Sequence, residues 1–193
     1  MNISILVAII GVLIPILIPI FNYLRNRYWL RPELTIEIVD DGGSQYYRGI
    51  KMSNFYEEGI INKNTQVTIY DLTWQYKVEI TNNSELIAFY PHLELNPNGP
   101  NITRVDKLNS QNPIKPTETV WLKGEFKKRV EIRGRGQNEP TKEMFPEIQD
   151  LEFLLVYQNS KKIKFFTLYN YDGEGNKNKF LKLRPKRYSS MPL

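Results

Sequence analysis

The chain has no cysteine and a single histidine. The first absence removes disulfides, thiolate nucleophiles, iron–sulfur ligation and cysteine-bearing zinc sites. The second removes any site built from two or three imidazoles. No Walker A sequence, no G-x-S-x-G elbow and no complete G-x-G-x-x-G fingerprint occurs. A further absence is positional. Met1 to Leu24 hold no charged side chain, so all 26 basic and 21 acidic residues follow Leu24.

Ile3 to Leu24 reads ISILVAIIGVLIPILIPIFNYL. As a helix this is about 33 Å long, enough to cross a hydrocarbon core of about 30 Å. The stretch has no polar stripe of the kind a soluble amphipathic helix carries. No Lys or Arg precedes the apolar run and no A-x-A-like site follows it, so it reads as a retained span and not a cleaved leader. Gly11 lies within it, and Pro15 and Pro19 stand one turn apart. Each proline removes a backbone hydrogen bond and favours a kink.

The C-terminal flank carries Arg25, Arg27 and Arg31, with Tyr23, Tyr28 and Trp29 interleaved. Basic residues on that side alone predict an N-terminus outside and a C-terminal domain in the cytoplasm, and the aromatics fit an interfacial belt. These six residues are the expected interfacial anchor.

After Pro32 the pattern changes to period two. Leu72, Trp74, Tyr76, Val78 and Ile80 alternate with Thr73, Gln75, Lys77 and Glu79, the signature of a half-buried strand. Val67 and Ile69 hold the opposite parity, which predicts a β-bulge or turn near Tyr70–Asp71. Further strands are expected around Leu34–Ile38, Leu93–Leu95, Val120–Ile132 and Lys179–Leu183. Leu151 to Tyr157 is nearly all apolar and is expected centrally, touching apolar neighbours on both faces. Ile163 to Tyr169 is its expected hairpin partner.

About seven short strands with no long amphipathic helix predict an all-β domain. The expected architecture is an immunoglobulin-like antiparallel β-sandwich, or a small barrel, behind one N-terminal transmembrane helix. The expected organisation is a span over 1–24, a basic and aromatic linker over 25–32, the sandwich over 33–184 and a flexible basic tail over 185–193. Asp40 to Asn64 and Asn96 to Pro116 read as long loops, and Thr141 to Gln149 as a helical turn.

Chemistry-bearing constellations are sparse. His92 shares the parity of Glu94 and reads as an exposed strand histidine. Asp172-Gly173-Glu174-Gly175-Asn176 begins like a calcium loop, but Lys177 stands where glycine is required and Leu183 where glutamate is required; a glycine-rich hairpin turn fits better. Asn82-Asn83-Ser84 and Asn101-Ile102-Thr103 are glycosylation sequons, relevant only in the reversed topology. No catalytic residue, metal or cofactor is expected.

Positive charge is the clearest bias, at +5 overall. Lys177, Lys179, Lys182, Arg184, Lys186 and Arg187 form an acid-free run, the candidate for binding an anionic surface. The same charge also suits nucleic acid or nucleotide phosphates, or the protection of an edge strand. The expected function is a non-enzymatic membrane-anchored module that recruits a protein partner at the cytoplasmic face of a bacterial inner membrane. The alternative is a ligand-gated membrane effector, with a nucleotide as one candidate ligand, whose helices oligomerise and perturb the bilayer. Expected partners are membrane lipid, a protein, and a second copy of the chain through the helix.

Overall fold

The computed structural model describes residues 3–25, 29–51, 67–96, 104–133, 151–171 and 175–188. Among the described residues one helix, α1 (Ile3–Leu24), precedes eight strands: β1 (Leu34–Ile50), β2 (Val67–Asn82), β3 (Phe89–Leu95), β4 (Arg104–Val105), β5 (Thr119–Arg133), β6 (Glu152–Gln158), β7 (Lys164–Tyr171) and β8 (Asn176–Leu181). The strands form two four-stranded sheets, ordered β1-β2-β5-β4 and β3-β6-β7-β8. Every pairing is antiparallel. The domain is therefore all-β and sandwich-like.

The core forms where alternation points one face of each sheet at the other. Ile36, Val78, Ile80 and Leu122 from the first sheet meet Phe153, Leu155, Tyr157 and Tyr169 from the second. β6 lies inside its sheet between β3 and β7, as its apolar run demands. Its odd residues enter this core, while Leu154 and Val156 pack on the opposite face with Phe166 and Tyr188. Burial of each large side chain stabilises the fold by about 1.5–3 kcal/mol before ordering costs.

Tyr188 belongs to a short 3-10 turn over Lys186–Tyr188 and is fully buried. The tail expected to be flexible from residue 185 is thus folded through Tyr188. The apolar outer face of β6 and β7 needs a cover, and this segment supplies it.

β2 itself carries no bulge near Tyr70–Asp71; the register shift at that level, opposite Ile69 and Tyr70, takes its extra residue from the partner strand β1. β2 pairs with β5 in unbroken register from Val67 to Thr81, and Tyr70 keeps the parity of the buried residues. The irregularities lie in β1, between Asp40 and Gly43 and between Tyr47 and Gly49. Each takes an extra residue beside a glycine of positive φ, 93° at Gly42 and 142° at Gly49, a conformation glycine adopts without a Cβ clash. β1 continues past these bulges to Ile50, so residues 40–50 are strand and not the expected loop.

The outer edge of β1 is closed by side chains of the other sheet. Asn178 acts as a substitute peptide: its Nδ2 donates to Ile36 O and its Oδ1 accepts from Ile36 N, both at 2.8 Å. Asn176 Oδ1 accepts from Ile38 N at 3.0 Å. Thr167 Oγ1 donates to Leu34 O at 2.9 Å. These bonds satisfy backbone groups that an open edge would leave bare.

Each described side chain of α1 from Leu13 to Leu24 is exposed. Among the described residues no helix is long and apolar enough to cross a membrane.

Candidate functional site

Three features bear on function: the root of the helix, the basic edge at β8, and the far half of the first sheet.

At the root, Phe21 and Trp29 meet edge to face at 5.6 Å, and Leu30 N donates to Arg25 O at 3.1 Å. The linker is then fastened to the second sheet. Asn159 Nδ2 donates to Leu30 O at 3.0 Å, and Arg31 Nη2 donates to Phe166 O at 3.3 Å. The Arg31 guanidinium also lies 4.9 Å from the Phe180 ring centroid, a cation–π contact. Arg31, expected in the interfacial anchor, is thus held against the β-domain. Tyr23, Arg25 and Trp29 are exposed; Arg27 and Tyr28 lie outside the described residues. Of the expected span, Gly11, Pro15, Pro19 and Leu24 are exposed. Pro15 and Pro19 lie inside the helix, and the side chain of Ile3 lies outside the described set.

The acid-free basic run divides into two kinds of residue. Lys177 and Lys179 stand exposed on β8, the edge strand, with Lys182 just beyond it and Lys186 in the 3-10 turn. Arg184 and Arg187 are engaged internally. Arg184 Nη2 donates to Glu94 Oε2 at 2.8 Å and to Tyr188 O at 2.8 Å. Arg187 pairs with Glu152, which also accepts from the Tyr188 hydroxyl at 2.9 Å. Tyr188 ionises well above the ordinary tyrosine range, chiefly because it is desolvated and secondly because Glu152 is adjacent. Glu94 shares the face of His92, as its parity requires. It is nevertheless buried, because the returning C-terminal segment covers it. His92 is exposed.

The far half of the first sheet carries a groove of about 450 Å³ lined by Tyr46, Arg48, Asp71, Lys127, Lys128 and Arg129. Tyr46, Asp71 and Arg129 stand opposite one another across three strands. Asp71 ties the two arginines together: Arg48 Nε donates to Oδ2 at 2.5 Å and Arg129 Nε to Oδ1 at 2.9 Å. These bonds, that from Arg129 first, hold the Asp71 carboxyl below its ordinary pKa. The Arg48 guanidinium lies 5.0 Å from the Tyr46 ring centroid, and Tyr46 is 64% exposed. The sequence signals were present but separate. The basic stretch from Lys123 and the Tyr-rich stretch after Asp40 are both visible; their convergence is not, because Tyr46 and Arg48 fall in a segment that reads as loop.

A second cleft, about 390 Å³, is bordered by Asp41, Tyr76, Arg104, Asp106, Lys123 and Glu125. Its charges alternate in sign, and Asp41 and Asp106 are paired with Lys77 and Arg104. Among the described residues no group of three or more His, Cys, Asp or Glu could hold a metal ion. Asn82, the first sequon position, is fully buried and donates to Leu86 O and Ile114 O, so it has no room for a glycan. The second sequon and the expected turn over Thr141–Gln149 lie outside the described residues, as do residues 172–174 of the glycine-rich turn. No family model matches this chain, and no curated protein matches its sequence.

Proposed function

We propose that this protein is a membrane-anchored, non-enzymatic interaction module. On this reading α1 crosses a bacterial inner membrane once, with the N-terminus outside. The helix holds an immunoglobulin-like sandwich at the cytoplasmic face, where the domain recruits a protein partner. The observation that carries the reading is the exposure of α1. Leu13, Ile14, Ile16, Leu17, Ile18, Ile20 and Phe21 are each 46–55% exposed, so apolar side chains face outward all round the helix. A helix hydrophobic on every side requires an apolar environment, either a protein core or a bilayer. The sandwich does not bury this one.

Two further observations support the reading. The strand orders β1-β2-β5-β4 and β3-β6-β7 correspond to the ABED and CFG sheets of a constant-type immunoglobulin sandwich, with β8 added at one edge. β8 also runs toward the helix root: Asn178 meets Ile36 and Phe180 meets Arg31. Lys179 and Lys182 therefore approach the end of the domain from which the helix departs, where anionic headgroups would attract each by about 1 kcal/mol. Pro15 and Pro19 inside α1 favour a second reading, in which kinked helices associate and perturb the bilayer when the domain binds a ligand.

Washing vesicles with carbonate tests the anchor; the full chain is expected to stay in the pellet, and its release would refute a span. Phosphatase and fluorescent-protein fusions at the C-terminus test the side, with fluorescence and no phosphatase activity expected. Reproducible capture of one protein from detergent extract is expected, and its loss on deleting the β-domain locates the binding surface there.

A further inference from the structure

We infer that the groove around Arg48, Asp71 and Arg129 binds a phosphate-bearing aromatic ligand, a nucleotide or a single-stranded oligonucleotide. The two guanidiniums are held through their Nε atoms by one carboxylate. Their terminal Nη groups make no hydrogen bond among the described residues, Arg48 resting instead on the Tyr46 ring, so they present a pair of forks of the geometry that grips phosphate oxygens. Fixing them in advance lowers the side-chain ordering that binding would otherwise require. Lys127 stands on the same face but is paired with Glu125 at 2.7 Å, so the positive excess of the groove comes from the two arginines set against the single carboxylate of Asp71. Tyr46 gives an exposed ring beside the cations, the combination of stacking platform and positive track that single-stranded nucleic acid and nucleotides use. A volume of about 450 Å³ falls in the range of small-ligand sites.

Location separates a soluble ligand from a lipid headgroup. β1 leaves the helix root at Leu34 and reaches Tyr46 a dozen residues later, about 35–40 Å away along the strand. That exceeds a Debye length of about 8–10 Å several times over. This step rests on the anchor reading above; the chemistry of the groove does not.

The test is fluorescence anisotropy and calorimetry on the full chain in neutral detergent, with labelled oligothymidylate of twelve nucleotides, AMP and inorganic phosphate as probes. The oligonucleotide or AMP is expected to bind more tightly than inorganic phosphate. Arg129→Ala is expected to weaken binding about tenfold to a hundredfold, as for loss of a charged hydrogen bond. Tyr46→Ala should weaken it several-fold, and Lys179→Ala/Lys182→Ala should leave it unchanged. For the oligonucleotide, the slope of log K against log salt is expected near −1.4, for about two phosphates, and near −0.7 in Arg129→Ala. Arg48 and Arg129 are exposed, 53% and 66% at the side chain, so the variants should fold; an unchanged thermal midpoint checks this. Asp71→Asn keeps both cations but loosens them, and should weaken binding with the salt slope retained. No binding of either nucleotide probe at about 0.1 M salt would overturn the inference, as would binding indifferent to Arg129→Ala. Binding to phosphatidylglycerol vesicles that depends on Arg129 would transfer the groove to lipid and overturn it equally. Failure of the carbonate-wash test would leave all these outcomes readable, since none requires a membrane.

Discussion

Asn178→Ala is the sharpest probe of how the two sheets are joined. The Asn178 amide makes two bonds to Ile36, one to its N–H and one to its carbonyl, each 2.8 Å. Ile36 itself is fully buried. Truncation removes both partners at once, and the backbone groups face an edge that water reaches poorly. Each buried polar group left unpaired costs about 1–3 kcal/mol. Partial hydration of the opened edge reduces the sum, so the expected loss is about 2–4 kcal/mol. Asn178→Asp separates the two bonds: it keeps the acceptor for Ile36 N and sets a carboxylate against Ile36 O, so it should cost at least as much. The assay is equilibrium urea unfolding, read as a shift in midpoint at unchanged slope, with hydrogen exchange at the Ile36 amide as the local readout. A change within about 0.5 kcal/mol, the usual range of an inconsequential surface substitution, would refute the account. So would Ile36 exchange no faster than in the parent, since β1 would then be held by something other than this amide.

Gly124→Ala should destabilise by about 1–3 kcal/mol, because an added Cβ would lie 2.2 Å from the ring of Tyr76, which is itself buried; thermal unfolding reads it. Tyr188→Ala should cost about 3–5 kcal/mol, since it uncovers Leu154, Val156 and Phe166 and removes the hydroxyl bond to Glu152; increased binding of a hydrophobic dye to the native state is the second readout. NMR titration of the Asp71 carboxyl should give a midpoint below the ordinary aspartate value, returning toward it in Arg129→Ala and, less fully, in Arg48→Ala. Its folded pKa is the lower one, so its contribution is present above the unfolded value of about 3.9 and is lost as pH falls through the folded value. Tyr76, Tyr169 and Tyr188 are shifted the opposite way, first by desolvation. Their hydroxyls stay neutral in the folded chain while the unfolded chain ionises, so stability should fall as pH rises beyond about 10, seen as a declining urea midpoint.

Local pattern carried much of the fold. Period-two alternation located β2, β5 and the β6–β7 hairpin, because a strand with one buried face must alternate. The unbroken apolar run of β6 signalled apolar cover on both sides, and the structure supplies the core on one face and Tyr188 on the other. The absence of charge before Arg25 marked α1, since apolar composition is a local property. Other features depend on residues far apart in the chain. The bulges sit in β1 because Gly42 and Gly49 accept positive φ there; the parity change in β2 marked the level of the second one, opposite Ile69 and Tyr70, but not the strand that carries it. Arg184 and Arg187 look like free surface charge until Glu94 and Glu152 come from 90 and 35 residues away to pair with them. Tyr46, Asp71 and Arg129 become neighbours only through the register of three strands. Sequence by itself located most of the strands, though not the second half of β1 or the short β4, and it determined which face of those strands is apolar and where charge begins. Tertiary structure decided which charges are neutralised and which converge, because electrostatic and hydrogen-bond partners are chosen by distance in space and not by distance along the chain.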